Sequence, residues 1–227
     1  MIKGLDVTVK RSNRKTLSIY VERNGGISVL APEHMQEKEI KDVLKKKEYL
    51  VQKHFAQWDI LNGSRIEREF VNGQSYLYLG RNYRLRWVAN KEQNDPLLLK
   101  NGYFCLCRSE KSRAAQRFTE FYKAKGLEII EKQTALYAAK LGIKYKHVRV
   151  IDLKNRWASC SDKKRLNFHW KCVMAPLSVL NYIIVHELVH FKYKKHNRKF
   201  WNEVDKVIPD YKAHLEWLRS FGASMDL

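Results

Sequence analysis

A chain of 227 residues is long enough for one large domain or two small ones, with a core that needs no disulfide or metal staple. Its 44 Lys and Arg against 24 Asp and Glu leave a formal net charge of +20, which attracts nucleic acid or acidic protein segments and by itself selects neither. The four cysteines form no CxxC pair, no apolar run approaches the roughly 18 residues of a membrane span, and Lys10, Arg11, Arg14 and Lys15 stand where a secretory stretch would have to continue, so the expectation is a cytoplasmic protein with reduced thiols, no signal peptide and no membrane partner.

Residues 7–31 read as a β-hairpin of two strands: Leu17, Ile19 and Val21 alternate, Asn24-Gly25-Gly26 supplies turn residues, and Ile27, Val29 and Ala31 resume the alternation. Pro32 ends that run, and residues 37–60, with Ile40, Val43, Leu44, Leu50, Val51 and Phe55 between charges, predict an amphipathic helix. From 65 to 107 short strand-like runs recur at Glu69-Phe70-Val71, Tyr76 to Leu79, Tyr83 to Trp87 and Gly102 to Cys107, broken by Asn72-Gly73, Gly80 and Asn94-Asp95-Pro96. Cys105 and Cys107, two apart, fall on one face of a strand as a buried pair.

After Ser109 a helical pattern continues to Leu141, and Gly142 is a stop signal. Residues 147–151 and 166–170, with 156–161 between them, predict two strands of a small sheet joined by a polar turn. Pro176 suits the start of a helix whose apolar surface includes Val179, Ile183, Val185, Leu188 and Val189. The expectation is an α+β protein: a β-rich module with one helix over 1–108, packed without an evident linker on a helix and small-sheet core over 109–227.

That last helix contains His186-Glu187-Leu188-Val189-His190, an HExxH pattern. A helix sets the two histidines about 40° apart around its axis and roughly 6 Å apart along it, so both imidazoles reach one zinc ion. Glu187, on an adjacent face, is placed to take a proton from a zinc-bound water and pass it to a leaving amine. Two histidines and a glutamate among Val185, Leu188, Val189 and Phe191 are costly to bury unless a metal claims them. Cys160 has no base near it in sequence and reads as a structural thiol.

A catalytic zinc takes three protein ligands. His196 leads, with Glu203, Glu216, His169 and His214 as competitors. An unbroken helix would carry His196 about 120° and about 9 Å away from His190, so the helix has to end between them. Residues 191–195 contain no glycine, and the expectation is a strained or left-handed Lys194, Lys195 or Asn197. Tyr182, Tyr193, Tyr211 and His214 are chemically capable of stabilising an oxyanion.

The blocks Arg156-Trp157-Ala158-Ser159-Cys160-Ser161, Leu166-Asn167, Ala175-Pro176, His186 to His190 and His196-Asn197-Arg198-Lys199-Phe200-Trp201, together with Arg11-Ser12, Arg14-Lys15 and Tyr78-Leu79-Gly80-Arg81-Asn82-Tyr83, resemble the YgjP-like metallopeptidases, which are distantly similar to SprT-like peptidases. The resemblance covers most of the chain. It implies a zincin-like C-terminal core, His186, His190 and His196 as Zn2+ ligands, Glu187 as the catalytic carboxylate, and a protein or peptide substrate added as a strand along residues 156–161 or the strand after them. Ala158 departs from the glycine expected there.

Two functional readings follow. One is a zinc metallopeptidase whose Glu187 assists a zinc-bound water. The other is a catalytically silent, metal-stabilised module binding nucleic acid or its associated proteins, suggested by the net charge and by Lys192, Lys194, Lys195, Arg198 and Lys199.

Overall fold

In a computed structural model of the chain the described residues are 7–21, 26–51, 69–89, 95–153 and 156–227. Two compact units are present, Met1–Arg65 and Ile66–Leu227. Both combine strands and helices, the α+β class expected.

The smaller unit holds β1 (Val7–Ser12), β2 (Ser18–Val21) and β3 (Ile27–Pro32) in the order β1-β3-β2. β2 and β3 form the expected antiparallel pair, with Ile19 opposite Val29. β1 adds a third strand, parallel to β3; the hairpin reading missed it because most of its residues are exposed and show no buried alternation. Ile27, Val29 and Ala31 pack with Ile40 and Leu44 of α1 (Glu37–Lys46). Those two lie four apart and so share a helix face. A turn at Lys47 interrupts the long helix expected over 37–60, whose part beyond Val51 lies outside the described residues.

The larger unit begins with β4 (Ser75–Tyr78), β5 (Arg81–Val88), β6 (Leu97–Lys100) and β7 (Tyr103–Cys107), ordered β4-β5-β7-β6. Cys105 and Cys107 are buried on β7 as expected. Glu69-Phe70-Val71 is irregular instead of a strand: Phe70 takes a left-handed φ of 53° and stacks on Tyr76 at 5.5 Å, so its ring serves as an anchor for the sheet. α2 (Ala114–Leu141) buries Phe118, Tyr122, Gly126, Ile130, Thr134 and Ala138 at intervals of four and ends at Gly142, whose φ of 62° supplies the left-handed cap.

The third sheet has three strands, β8 (His147–Ile151), β9 (Ala158–Cys160) and β10 (Arg165–His169), in the order β8-β10-β9. The pattern alone makes residues 156–161 a polar turn, whereas the resemblance offers them as an edge strand; β9 is a short edge strand antiparallel to β10. Beyond it come α3 (Leu177–Val189), α4 (Arg198–Asp205) and α5 (Tyr211–Phe221). α3 is apolar almost all round and buried accordingly, with Val179, Leu180, Ile184, Val185, Leu188 and Val189 all at 1% exposure or less. Its start is clamped by the β4–β5 turn, where Leu79 and Gly80 donate backbone hydrogen bonds to the carbonyls of Val173 (2.7 Å) and Met174 (3.0 Å). A Cβ on Gly80 would lie 2.8 Å from Pro176 Cγ, so glycine here permits the approach.

Candidate metal centre

α3 ends at Val189 with His190 as its cap, in helical conformation. Short-range bonds then tighten the chain: Phe191 N–H to Leu188 O (3.0 Å), and Lys192 and Tyr193 N–H to Val189 O (2.9 Å each). The left-handed residue expected at Lys194, Lys195 or Asn197 is not there, since no residue from 191 to 197 has positive φ. A bend closed by Asn197 N–H to Lys195 O (2.8 Å) makes the turn, and extended Asn197 then caps α4 through its side chain on Phe200 N (3.0 Å). Lys192 fastens the loop from outside, donating to Leu141 O (2.8 Å) and to Glu203 (2.7 Å).

This path brings His196 back over the helix end. His186 Nε2 lies 3.2 Å from His190 Nε2 and 3.0 Å from His196 Nε2. Among the described residues these three form a group able to hold a metal ion, their ligand atoms all within 4.8 Å of one another. Ligands sharing one tetrahedral zinc at about 2.05 Å stand about 3.3 Å apart, so the two close pairs fall within a few tenths of an ångström of that value. Fully buried Phe200 is their common floor, with its centroid 4.9 Å from that of His186 and 4.7 Å from those of His190 and His196. Trp201 stacks on His196 and Tyr211 stacks on Trp201.

Protonation suits a ligand set. His190 Nδ1 lies 3.1 Å from Tyr193 O, and a carbonyl only accepts, so Nδ1 carries the hydrogen and Nε2 keeps its lone pair. His186 Nδ1 meets Tyr182 Oη at 3.4 Å. Burial first, then the neighbouring His190 and His196, pushes the His186 pKa down to about 3. His190 is lowered too, mainly by burial. Both rings are therefore neutral donors at physiological pH.

Glu187 is buried, and that burial raises its pKa to about 7 against three opposing influences: the Cys160 thiol, Arg156 and the Cys160 backbone amide. The thiol, pushed up to about 11 by burial and then by Glu187 itself, stays protonated and donates to the carboxylate. This partnership was missed, because Cys160 and Glu187 are far apart in sequence. The clue lay in Ala158 and Cys160, whose spacing puts both side chains on one face of β9.

The competing ligands are engaged elsewhere. Glu203 pairs with Lys192 and Lys206, Glu216 with Arg219, His214 with Asp210, and His169 with Asp152 while its Nδ1 accepts from Lys171 N. Of the oxyanion candidates, Tyr182 is buried behind His186 with its hydroxyl raised to about 12 by burial, and Tyr211 is stacked on Trp201. Trp157 packs against Gly222, where a Cβ would approach its ring to 2.8 Å.

A family profile of the YgjP-like metallopeptidase domain matches residues 15–221. The chain belongs to the YgjP-like metallopeptidase family. As such it is a metal-dependent hydrolase, and its substrates are proteins or peptides. Among solved structures it is similar to the metallopeptidase zymogen abylysin of Pyrococcus abyssi, at 26% identity over 39% of this chain and 90% of that one, with a TM-score of 0.37. It is also similar to the zymogen jannalysin of Methanocaldococcus jannaschii, at 28% identity over 38% of this chain and 87% of that one, with a TM-score of 0.34. No curated protein matches the chain. Among the described residues, no helix of this YgjP-like protein is long and apolar enough to cross a membrane.

Proposed function

We propose that the YgjP-like chain is a zinc peptidase in which His186, His190 and His196 hold the ion and Glu187 is the general base. The observation that carries this reading is the meeting of three Nε2 atoms, two of them 3.0 and 3.2 Å from the first, beside a buried carboxyl poised at about pH 7. Neutral imidazoles suit zinc, a borderline-soft ion. The ion supplies Lewis acidity toward the scissile carbonyl and makes water acidic enough to be useful near neutral pH.

The remaining chemistry belongs to the chain. Burial favours the protonated form of this carboxyl and a bound cation would favour the carboxylate, so the two oppose each other and the group can exchange a proton near neutral pH. Glu187 takes one proton from the attacking water and returns it to the leaving nitrogen as the C–N bond breaks. Cys160, bonding through thiol and amide, fixes where the carboxylate points. Phe200 and Trp201 close one side of the histidine cluster against water. Cys105, Cys107, Cys160 and Cys172, with no CxxC pair and no regular framework among them, suit a reducing, cytoplasmic setting.

The test is cleavage of a peptide library by the zinc-loaded protein and by Glu187→Gln. Gln is nearly isosteric and cannot accept the proton, so turnover should fall by at least about a hundredfold with zinc still bound. Undiminished proteolysis in Glu187→Gln removes Glu187 from the mechanism.

A further inference from the structure

The cations beside the histidine cluster are concentrated, and few carboxylates answer them. The turn after β9 carries Lys163 and Lys164, and Arg165 opens β10 directly after them, all three exposed. It is a tight turn, closed by Ser161 N–H to Arg165 O (3.0 Å) and Lys164 N–H to Ser161 O (2.9 Å), with Lys164 at a left-handed φ of 56°. Facing it are the loop that delivers His196, with Lys194 and Lys195, and the first turn of α4, with Arg198 and Lys199, all four exposed. An ion pair between Lys194 and Asp162 (2.7 Å) holds turn and loop together. Lys146 N–H donates to Lys164 O (2.8 Å), which adds exposed Lys144 and Lys146 to the same edge.

Between residues 144 and 199 the acidic residues are Asp152, Asp162 and Glu187 alone. Asp152 pairs with His169, Asp162 is taken by Lys194, and Glu187 is buried. The rim therefore displays largely uncompensated positive charge, next in the chain to His196 on one side and to Cys160, the partner of Glu187, on the other.

We infer that this rim selects the substrate: a protein segment carrying several Asp or Glu residues to one side of the bond to be cut. The inference rests on the peptidase reading above. An extended chain advances about 3.3 Å per residue, so the acidic residues are expected a few positions from the bond held at the histidines, on the side of Lys163, Arg165 and Lys195. Charge complementarity at a rim speeds encounter and fixes register, and it weakens with salt. The surface fits a peptide better than a nucleic acid. Its nearby aromatics, Tyr145, Tyr193 and Trp201, are partly buried and packed against the core instead of standing out as platforms for bases.

The experiment uses full-length, zinc-loaded Glu187→Gln protein and fluorescence anisotropy. The probes are an acidic peptide, its Gln/Asn isostere, and single- and double-stranded oligonucleotides, each measured at low and raised salt. The acidic peptide should bind at least about tenfold more tightly than its isostere, with the gap closing as salt rises. Charge reversal of the rim (Lys163→Glu, Arg165→Glu, Lys195→Glu) should erase that preference, whereas the same reversal on α1 (Lys38→Glu, Lys45→Glu, Lys46→Glu) should leave it. All six side chains are exposed, and circular dichroism checks that both variants fold.

Equal binding of the two peptides, or a preference that survives rim reversal, overturns the inference. So does rim-dependent binding of oligonucleotides without discrimination between the peptides, which makes the rim a nucleic-acid surface. Wild-type kcat/KM on the same peptide pair separates this inference from the peptidase reading. Cleavage of both at equal rates rejects acidic selection and keeps the peptidase, whereas rim-dependent acidic binding with no cleavage of any peptide keeps the surface and rejects the peptidase.

Discussion

Phe200→Ala tests whether the histidine cluster is built on its aromatic floor. The ring has no solvent exposure and touches all three imidazoles, with centroid separations of 4.7 to 4.9 Å. Truncating a fully buried phenylalanine costs about 3–5 kcal/mol in transfer and cavity terms. For a unit of this size about 1 kcal/mol corresponds to 2–4 °C, so Tm should fall by roughly 10 °C. The cluster should loosen as well. A ligand that binds only the folded state at a hundred times its Kd adds about 2.7 kcal/mol, so zinc should raise the wild-type Tm clearly and the variant's much less. Phe200→Leu, which keeps most of the volume, should sit between them. Calorimetry of all three proteins with and without zinc is the assay. A Phe200→Ala protein within about 1 kcal/mol of wild type and with the same response to zinc would refute this reasoning.

The raised pKa of Glu187 has two consequences. As the base must be ionised, kcat/KM should fall at acid pH, with the limb of the zinc-loaded enzyme below the value of about 7 that burial alone sets, because a neighbouring cation favours the carboxylate. In the metal-free protein the sign reverses for stability: a folded-state pKa above the unfolded one gives stability that is full below the unfolded value and is lost as pH climbs through about 7, on the order of 3 kcal/mol for this group. His186 acts oppositely, losing stability as pH falls, so urea titrations of wild type against Glu187→Gln isolate the carboxyl; parallel pH dependence in the two proteins contradicts the assignment. Cys160→Ala removes a donor that favours the carboxylate, so the rising limb of the rate profile should move to higher pH, and an unmoved limb dissociates Cys160 from the base. Gly80→Ala combines a left-handed φ of 76° with a Cβ 2.9 Å from Pro176 Cα, whereas Gly73 has a φ of 84° and open space. The first should cost at least about 2 kcal/mol and the second about 1, and equal losses would mean that the Pro176 approach is immaterial.

What was legible in the chain followed local physics. Four-residue periodicity gave α2, a left-handed glycine gave its end, and Pro176 with a nearly continuous apolar surface gave α3 and the His186 to His190 pair it carries. β1 was illegible because an exposed strand shows no alternation and its parallel partner lies beyond an intervening strand. β9 was illegible to pattern alone because three residues make none. The return of His196 depends on Lys192 reaching Leu141 and Glu203, and on a bend that needs no glycine, so spacing alone left five residues competing for one role. The contact of Cys160 with Glu187 arises only when the third sheet packs on α3, a tertiary event with no local signature.

The most direct measurement is zinc stoichiometry by native mass spectrometry on untagged wild type, His186→Ala and His196→Ala, each shown to be folded by circular dichroism. One tightly held zinc in wild type and none in either variant is the result predicted by the convergence of the three Nε2 atoms. A folded wild type that takes up no zinc, or a His196→Ala protein that holds it as tightly as wild type, contradicts the three-histidine centre.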